Sequence, residues 1–381
     1  MKTIRDYSFA LIRGGLTFLD NTLVYFTNKK PSRGPMFVAW DVTFRCNARC
    51  SFCNTHELDK ATPRDMTTEE ALKLVKEMGE AGVWHLSLTG GETLVRKDLI
   101  EIIREAKKYG IIVNVNTNGF LLLKHATNLV ESGVDSFTIS IDSHKNEVHD
   151  EARKIPRLTE SIVKGIEEVK KIRKGYKPTV MIRLVVSKQN YDEIDLYIEK
   201  YKDVADKIMF QPIHDGVGVP KFLEKQDSIT HTGLLNLADT DKDPYQFQIE
   251  DRQLFSEKFK NYFKKYKWMN TLFNRNMVKF IFDKDSMWDE YKCYAGYYYL
   301  QLDPYGKTFP CQFLFNEVGN VNESGIMNVW KNEKFNQWRH KVKNKQNKCL
   351  CWCGTAQVNA VLTKTIDNKL IQGASKLIKG N

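Results

Sequence analysis

The chain has 381 residues, 42% of them hydrophobic and 28% charged, with a formal net charge of +11. This length suits one large domain plus a smaller one, and the composition is that of an ordinary globular protein, with no disorder expected beyond the ends. The positive balance calls for an anionic partner: a membrane surface, a nucleic acid or a phosphorylated substrate.

The longest apolar run, Ser8 to Phe26, is broken by Arg13 and Asp20. It falls short of the ~18 uncharged residues of a membrane span, and the same charges argue against a cleaved signal peptide. Within this N-terminal segment, 1–35, the residues Phe9, Ile12, Leu16, Leu19, Leu23 and Phe26 recur at three- and four-residue steps, which predicts an amphipathic helix. A second one, basic, is predicted over 361–381, where Leu362, Ile366, Leu370 and Leu377 alternate with Lys364, Lys369, Lys376 and Lys379. Such helices either pack on a core or lie on an anionic bilayer.

From Met36 to Ile213, short β-branched runs alternate with segments of helical period, the pattern of βα units around a parallel sheet. Six strands are expected, at Met36–Thr43, Trp84–Thr89, Ile111–Asn116, Ser136–Asp142, Thr179–Val186 and Lys207–Ile213. Several are near-continuous apolar runs, as if both faces were covered. Thr67–Glu80 opens with a Thr-x-x-Glu capping box, and Lys97–Tyr109 and Thr159–Lys174 carry apolar residues at helical spacing. The expected fold class is α/β: a partial (β/α)6 TIM-like barrel over 36–215, with its site at the C-terminal ends of the strands. A linker and helical segment over 216–292 leads to a small α+β cluster-binding module over 293–360, marked by Tyr297–Leu302 and the turn Asp303-Pro304-Tyr305-Gly306.

The eight cysteines fall into two groups: 46, 50 and 53, then 293, 311, 349, 351 and 353. Intervals of two to four residues are ligand spacing, and a reducing cytoplasm is the expected compartment. Cys46-Asn-Ala-Arg-Cys50-Ser-Phe-Cys53 follows the first strand directly, so three thiolates converge at the barrel mouth. They suit a four-iron cluster with one iron left open, or a zinc ion with His56 as fourth ligand. Gly90-Gly91-Glu92 ends the next strand on the same side. Two glycines permit close backbone approach, and a carboxylate can receive an ammonium group.

Together these motifs resemble the radical S-adenosylmethionine (SAM) superfamily, with Phe52 at the aromatic place of the Cys-x₃-Cys-x-aromatic-Cys loop. The resemblance implies a SAM-binding [4Fe–4S] cluster on Cys46, Cys50 and Cys53, and SAM contacts from Gly90, Gly91 and Glu92. It also implies contacts from Ser140 and Asp142 at the end of the fourth strand, where a polar strand end and helix cap is the alternative. His149-Asp150-Glu151-Ala152-Arg153 is similar to the family's His-Asp-x-x-Arg segment, and Arg153 would face the SAM carboxylate; a surface salt bridge is the plain alternative. Asn118, in Thr117-Asn118-Gly119, reads as a turn residue and stays outside the expected site.

Cys293 and Cys311 bracket Gly306 in Cys-x₁₂-Gly-x₄-Cys, which resembles the opening of the SPASM or shorter twitch auxiliary-cluster module. Cys349, Cys351 and Cys353 would complete the set, although their Cys-x-Cys-x-Cys spacing is tighter than the family's. Five thiolates hold one auxiliary [4Fe–4S] cluster with one ligand to spare, or a zinc ion. The implied activity is reductive cleavage of SAM to a 5′-deoxyadenosyl radical that abstracts hydrogen from a substrate, with flavodoxin or ferredoxin as reductant. The expected catalyst is thus an oxidoreductase or transferase, peripheral at an anionic membrane, acting on a membrane lipid or isoprenoid. A peptide maturase is the alternative, and a non-catalytic iron–sulfur electron carrier a further one. Nucleic acid is not an expected partner, because no RNA-binding module accompanies the barrel.

Overall fold

The computed structural model describes residues 4–53, 55–59, 64–213, 247–283, 286, 292–311, 316–344 and 362. After an N-terminal helix, α1 (Ile4–Thr27), the chain runs β1 (Phe37–Thr43), α2 (Thr68–Ala81), β2 (His85–Gly90), α3 (Leu99–Lys108), β3 (Ile112–Thr117), α4 (Leu122–Glu131) and β4 (Ser136–Ser140). It continues through α5 (Asn146–Arg153), α6 (Leu158–Ile172), β5 (Thr179–Val186), α7 (Ile194–Tyr201) and β6 (Lys207–Pro212). α8 (Arg252–Lys265), β7 (Tyr299–Leu302), β8 (Lys307–Phe309), β9 (Gly319–Asn320) and α9 (Glu333–Lys343) follow. All six expected strands are present. β4 stops short of Asp142 because the Asp142 amide donates to His149 Nδ1 rather than to a neighbouring strand. α2 opens on the expected capping box, with Thr67 and Glu70 bonded reciprocally.

The strands form one open sheet in the order β6-β5-β4-β3-β2-β1-β7-β8-β9, so the fold is an α/β partial barrel. β7 pairs in parallel with β1, and β8 and β9 add antiparallel strands beyond it. The cysteine-bearing hairpin therefore extends the barrel sheet.

The two faces of the sheet differ. Val38, Trp40, Val42, Leu86, Leu88, Val113, Val115, Phe137, Ile139, Ile182 and Leu184 point outward and are buried with Leu74, Val75, Met78, Ile102, Ile103, Ile162 and Ile166 of the covering helices. The intervening residues face inward, as the two-residue period of a strand requires. On β2 to β4 these are His85, Ser87, Thr89, Ile112, Asn114, Asn116, Ser136, Thr138 and Ser140, polar but for Ile112, so the near-continuous apolar runs expected from the sequence give way to alternation. Hydrogen bonds link Asn116 to Ser87, and Ser136 and Thr138 to Asn114.

α1 lies across the opposite end of the barrel from the mouth. Thr22 bonds Tyr298 just before β7, Asn21 bonds the Gly34 carbonyl before β1, Thr17 bonds Gly82 before β2, and Arg13 bonds Tyr109 before β3. Gly14 sits against the Trp84 indole. The helix thus buries its polar residues, because strand-entry loops end in carbonyls that need donors. Leu11, Ile12, Leu16, Leu19 and Leu23 face outward. Arg13, the charge that interrupts the apolar run, is buried under the helix. The predicted helix over 361–381 lies outside the described residues, apart from Leu362, which is buried against Val24, Tyr25 and Tyr298.

This inside-out arrangement predicts a contrast between the faces of α1. Thr17→Val should cost about 1–2 kcal/mol, because it strands the Gly82 carbonyl and also removes a partner of Arg33. Leu19→Ser should stay within about 0.5 kcal/mol. Urea midpoints at constant slope measure both.

Candidate active site

The cysteine loop begins three residues after β1 and is held from two sides. On one side, Gly91 N donates to Thr43 O and Glu92 N to Arg45 O, stitching the end of β2 to the loop. A Cβ at Gly90 would collide with Thr43 O, and one at Gly91 with the carbonyls of Phe44 and Arg45. The close approach that the two glycines permit is thus to the cysteine loop itself. On the other side, Ser51 N donates to Ala152 O and Arg49 N to Arg153 O, so the last turn of α5 carries the loop on its exposed carbonyls.

Glu92 is fully buried. Its Oε1 accepts from Leu94 N and Thr117 Oγ1, and its Oε2 from Asn118 N. Burial raises its pKa, and these three bonds oppose the rise. A carboxylate offers about four acceptor sites, so one remains on Oε2. Asn118 also reaches Asn47 inside the cysteine loop at 2.8 Å, tying β3 to it. Asn118, which reads in the sequence only as an Asn-Gly turn residue, thus joins Glu92 to the cysteine loop. Its place at the strand end nearest Glu92 was the available clue to this role.

Asp142 and Arg153 form a two-point ion pair, Nε to Oδ2 at 2.7 Å and Nη2 to Oδ1 at 3.1 Å. Burial alone would raise the Asp142 pKa, but Arg153 and the His149 contact outweigh it and hold the carboxyl well below its ordinary range. Burial would likewise lower Arg153, and Asp142 with Cys50 and Cys53 more than reverses it. Asp142 is thus engaged by Arg153. The guanidinium also lies 5.4 Å from the centre of the Phe52 ring, a cation–π contact. Ser140 ends β4 beside this pair, half-exposed.

The three cysteines are half-buried and close enough to influence one another's charge. Burial pushes the Cys50 thiol up to about 11, against the pull of Arg153, and burial also raises Cys46, whose sulfur accepts the Ala48 amide at 3.4 Å. Among the described residues no three His, Cys, Asp or Glu side chains are drawn tightly enough for a single metal ion. A four-iron cluster spreads its ligands more widely, and three thiolates beside a buried cation suit its net negative charge. The His56 side chain lies outside the described residues.

In the second group, Cys293 and Cys311 meet in one small cluster with Ala39, Tyr299 and Trp338. The turn between β7 and β8 places them there: Asp303 Oδ1 accepts from Tyr305 N and Lys307 N, and Gly306 takes a φ of +90°. Cys349, Cys351 and Cys353 lie outside the described residues. Between the two groups runs a chain the sequence reading did not foresee: Tyr299 OH donates to Gln301 Oε1, and Gln301 Nε2 to Asp41 Oδ2 at 2.9 Å. Burial and then Asp303 push the Asp41 carboxyl up to about 8, with Gln301 opposing. A single acid in a strand gives no sequence signal of this kind.

Two outcomes follow from these charges. Asp142→Asn leaves the Arg153 guanidinium unpaired and should cost about 3–5 kcal/mol, much of it recovered in the double variant with Arg153→Met; thermal unfolding of both checks this. Asp41, raised in the folded state, contributes stability that is full at low pH and lost as pH rises toward its folded value. The wild type should therefore lose stability between pH 5 and 8, and Asp41→Asn should flatten that slope and exceed the wild type at pH 8 in denaturant titrations.

Comparison with known proteins agrees with this geometry. Residues 40–200 match the radical SAM superfamily, and residues 293–354 match the SPASM iron–sulfur cluster-binding domain. An AdoMet-dependent heme synthase of Methanosarcina barkeri is 27% identical over 84% of this chain and 88% of its own. A GTP 3′,8-cyclase of Lactiplantibacillus plantarum is 33% identical over 54% of this chain; the match spans only 61% of that relative. Among solved structures, Streptococcus suis SuiB bound to its precursor peptide SuiA aligns with a TM-score of 0.58 at 16% identity, covering 81% of this chain and 67% of SuiB. A native anSMEcpe with bound AdoMet and a peptide aligns at 0.56 and 18% identity, covering 80% and 82%. With both cysteine groups falling inside matched domains, the chain belongs to the radical SAM superfamily, as an enzyme with a SAM-binding [4Fe–4S] cluster and a SPASM-type auxiliary iron–sulfur site.

Proposed function

We propose that the enzyme acts on a polar, hydrogen-bonding substrate held on the inner face of the sheet, between the Cys46–Cys53 loop and the Cys293–Cys311 hairpin. The observation that carries this is the inner face itself, where Ser87, Thr89, Asn114, Asn116 and Thr138 are presented. Asn116 Nδ2 is already paired with Ser87 and the Leu88 carbonyl, and Asn114 Oδ1 with Ser136 and Thr138. An isoprenoid or acyl chain laid there would strand the groups left over, Asn116 Oδ1 and Asn114 Nδ2 among them, at about 1–3 kcal/mol each, whereas a peptide can pair with them. Of the substrates considered from the sequence, the lipid is therefore disfavoured and the peptide preferred. The heme synthase relative, matched over most of both chains, supports a second reading in which the substrate is a tetrapyrrole.

When bound, the reduced cluster supplies the electron that splits SAM into methionine and a 5′-deoxyadenosyl radical, which takes hydrogen from the substrate. Flavodoxin or ferredoxin is the class of reductant that fits. The remaining acceptor site on Glu92 would take an N–H of the SAM amino group, and Arg153 Nη1, not engaged by Asp142, would face its carboxylate. Ser140 is placed for a polar group of SAM, and Asp142 acts through Arg153 as a positioning residue. The ends of the chain also support peripheral contact with anionic membranes; among the described residues no helix is long and apolar enough to cross one.

Anaerobic turnover of the reduced holoenzyme with SAM tests the reading. Peptide pools should raise 5′-deoxyadenosine output and yield a mass-shifted product, while lipid extracts leave output at its uncoupled level. Replacing Cys46, Cys50 and Cys53 together by Ala should abolish it and remove about four of seven to eight irons. Stimulation by lipid alone would reverse the substrate assignment.

A further inference from the structure

We propose that the N-terminal end of the barrel is the membrane-docking surface, formed by the outer face of α1 and the turn Lys174-Gly175-Tyr176-Lys177, so that the mouth opens away from the bilayer. This deepens the peripheral-contact reading above and rests on it.

The first support is the inverted burial of α1. Arg13, Thr17 and Asn21 are buried against the strand-entry loops, while Ile12 is 63% exposed and Leu19 62% exposed, with Leu11, Leu16 and Leu23 on the same side. At its C-terminal end α1 also buries Val24 and Tyr25, but over residues 11–23 it turns Arg13, Thr17 and Asn21 inward and its leucines outward, the surface of an interfacial helix already mounted on a folded domain. Large apolar side chains in a contiguous row are uncommon on a surface that meets only water.

The second support is independent of the helix. Tyr176 is 88% exposed in the turn before β5, at the same end of the barrel. Lys177 in this turn and Lys107 at the end of α3 share Asp135, and Arg13 of α1 bonds the nearby Tyr109, so turn and helix are both tied to the loop that enters β3. An exposed tyrosine flanked by lysines sits naturally at the headgroup level. Charge points the same way. Lys29 and Lys30 are exposed just beyond α1, Asp20 is turned inward onto Ser32 and Arg33, and Glu80 and Glu105 are paired with Lys76 and Lys108. The occupant this surface fits is an anionic bilayer, each nearby Lys adding about 1 kcal/mol at low salt.

Geometry then separates docking from chemistry. Strands of five to eight residues, at about 3.3 Å per residue, place the mouth roughly 15–25 Å beyond α1. An interfacial helix sinks only about 5–10 Å. A lipid resident in the docked bilayer does not reach Cys46 or Glu92, and the substrate arrives from water, as the polar inner face requires.

Hydrogen exchange of the holoenzyme with vesicles of phosphatidylcholine, with and without phosphatidylglycerol, tests the orientation. Anionic vesicles should float the enzyme, less so in high salt, and slow exchange in residues 11–30 and 172–178 while leaving 118–124 and 143–149 at the mouth unchanged. The combined variant Ile12→Ser, Leu16→Ser, Leu19→Ser should bind more than about tenfold more weakly with SAM cleavage intact. Flotation with protection at the mouth instead would overturn the orientation and leave peripheral contact standing. Absence of flotation on both vesicle types would overturn both. Protection of α1 without vesicles, whether from dimerisation seen by light scattering or from another segment of the chain, would also overturn the proposal.

Discussion

The site depends on the largely buried ion pair between Asp142 and Arg153. Asp142 stands just past the end of β4 and Arg153 at the end of α5, so the pair fixes the last turn of that helix against the sheet. The same turn presents the Ala152 and Arg153 carbonyls to the amides of Ser51 and Arg49, and through them locates the cysteine loop. Such a pair gains little over an apolar contact of equal volume, because both ions lose water. Its contribution is positional: a guanidinium is held beside three thiolates and under the Phe52 ring, where a negatively charged cluster needs a fixed counter-charge.

Glu92 performs the matching task on the other side. By accepting from Leu94, Thr117 and Asn118 it locks the ends of β2 and β3 together, and Asn118 passes the constraint on to Asn47 in the loop. The Gly90-Gly91 step lets these strands press against the backbone of residues 43–45. Loop, glycines and carboxylate thus form one connected unit.

Much of this was legible in the sequence. Strand periodicity placed all six barrel strands within a few residues, because outward-facing aliphatics on β1 to β5 pack against helices of regular period. Cysteine spacing and Gly-Gly-Glu identified the mouth. Hydrophobic pattern also found the stripe on α1, but not which side of the helix faces the protein: Thr17 and Asn21 are recruited inward by loop carbonyls that only the tertiary fold supplies. Asn118 and the chain Tyr299–Gln301–Asp41 were missed for a similar reason, since their meaning lies in partners 71 and 260 residues away. Sequence periodicity also overstated the apolar character of the sheet, whose inner face is polar where the substrate is proposed to lie.

The central claim is that the cluster on Cys46, Cys50 and Cys53 carries SAM at an iron without a protein ligand. Electron–nuclear double resonance of the reduced holoenzyme with SAM labelled by ¹⁵N in the amino group and ¹⁷O in the carboxylate addresses this directly. Hyperfine coupling of both nuclei to the cluster is the predicted result, lost in the Cys46, Cys50 and Cys53 variant. A reduced cluster whose spectrum shows no coupling to either label, with SAM bound at saturation, would contradict the account.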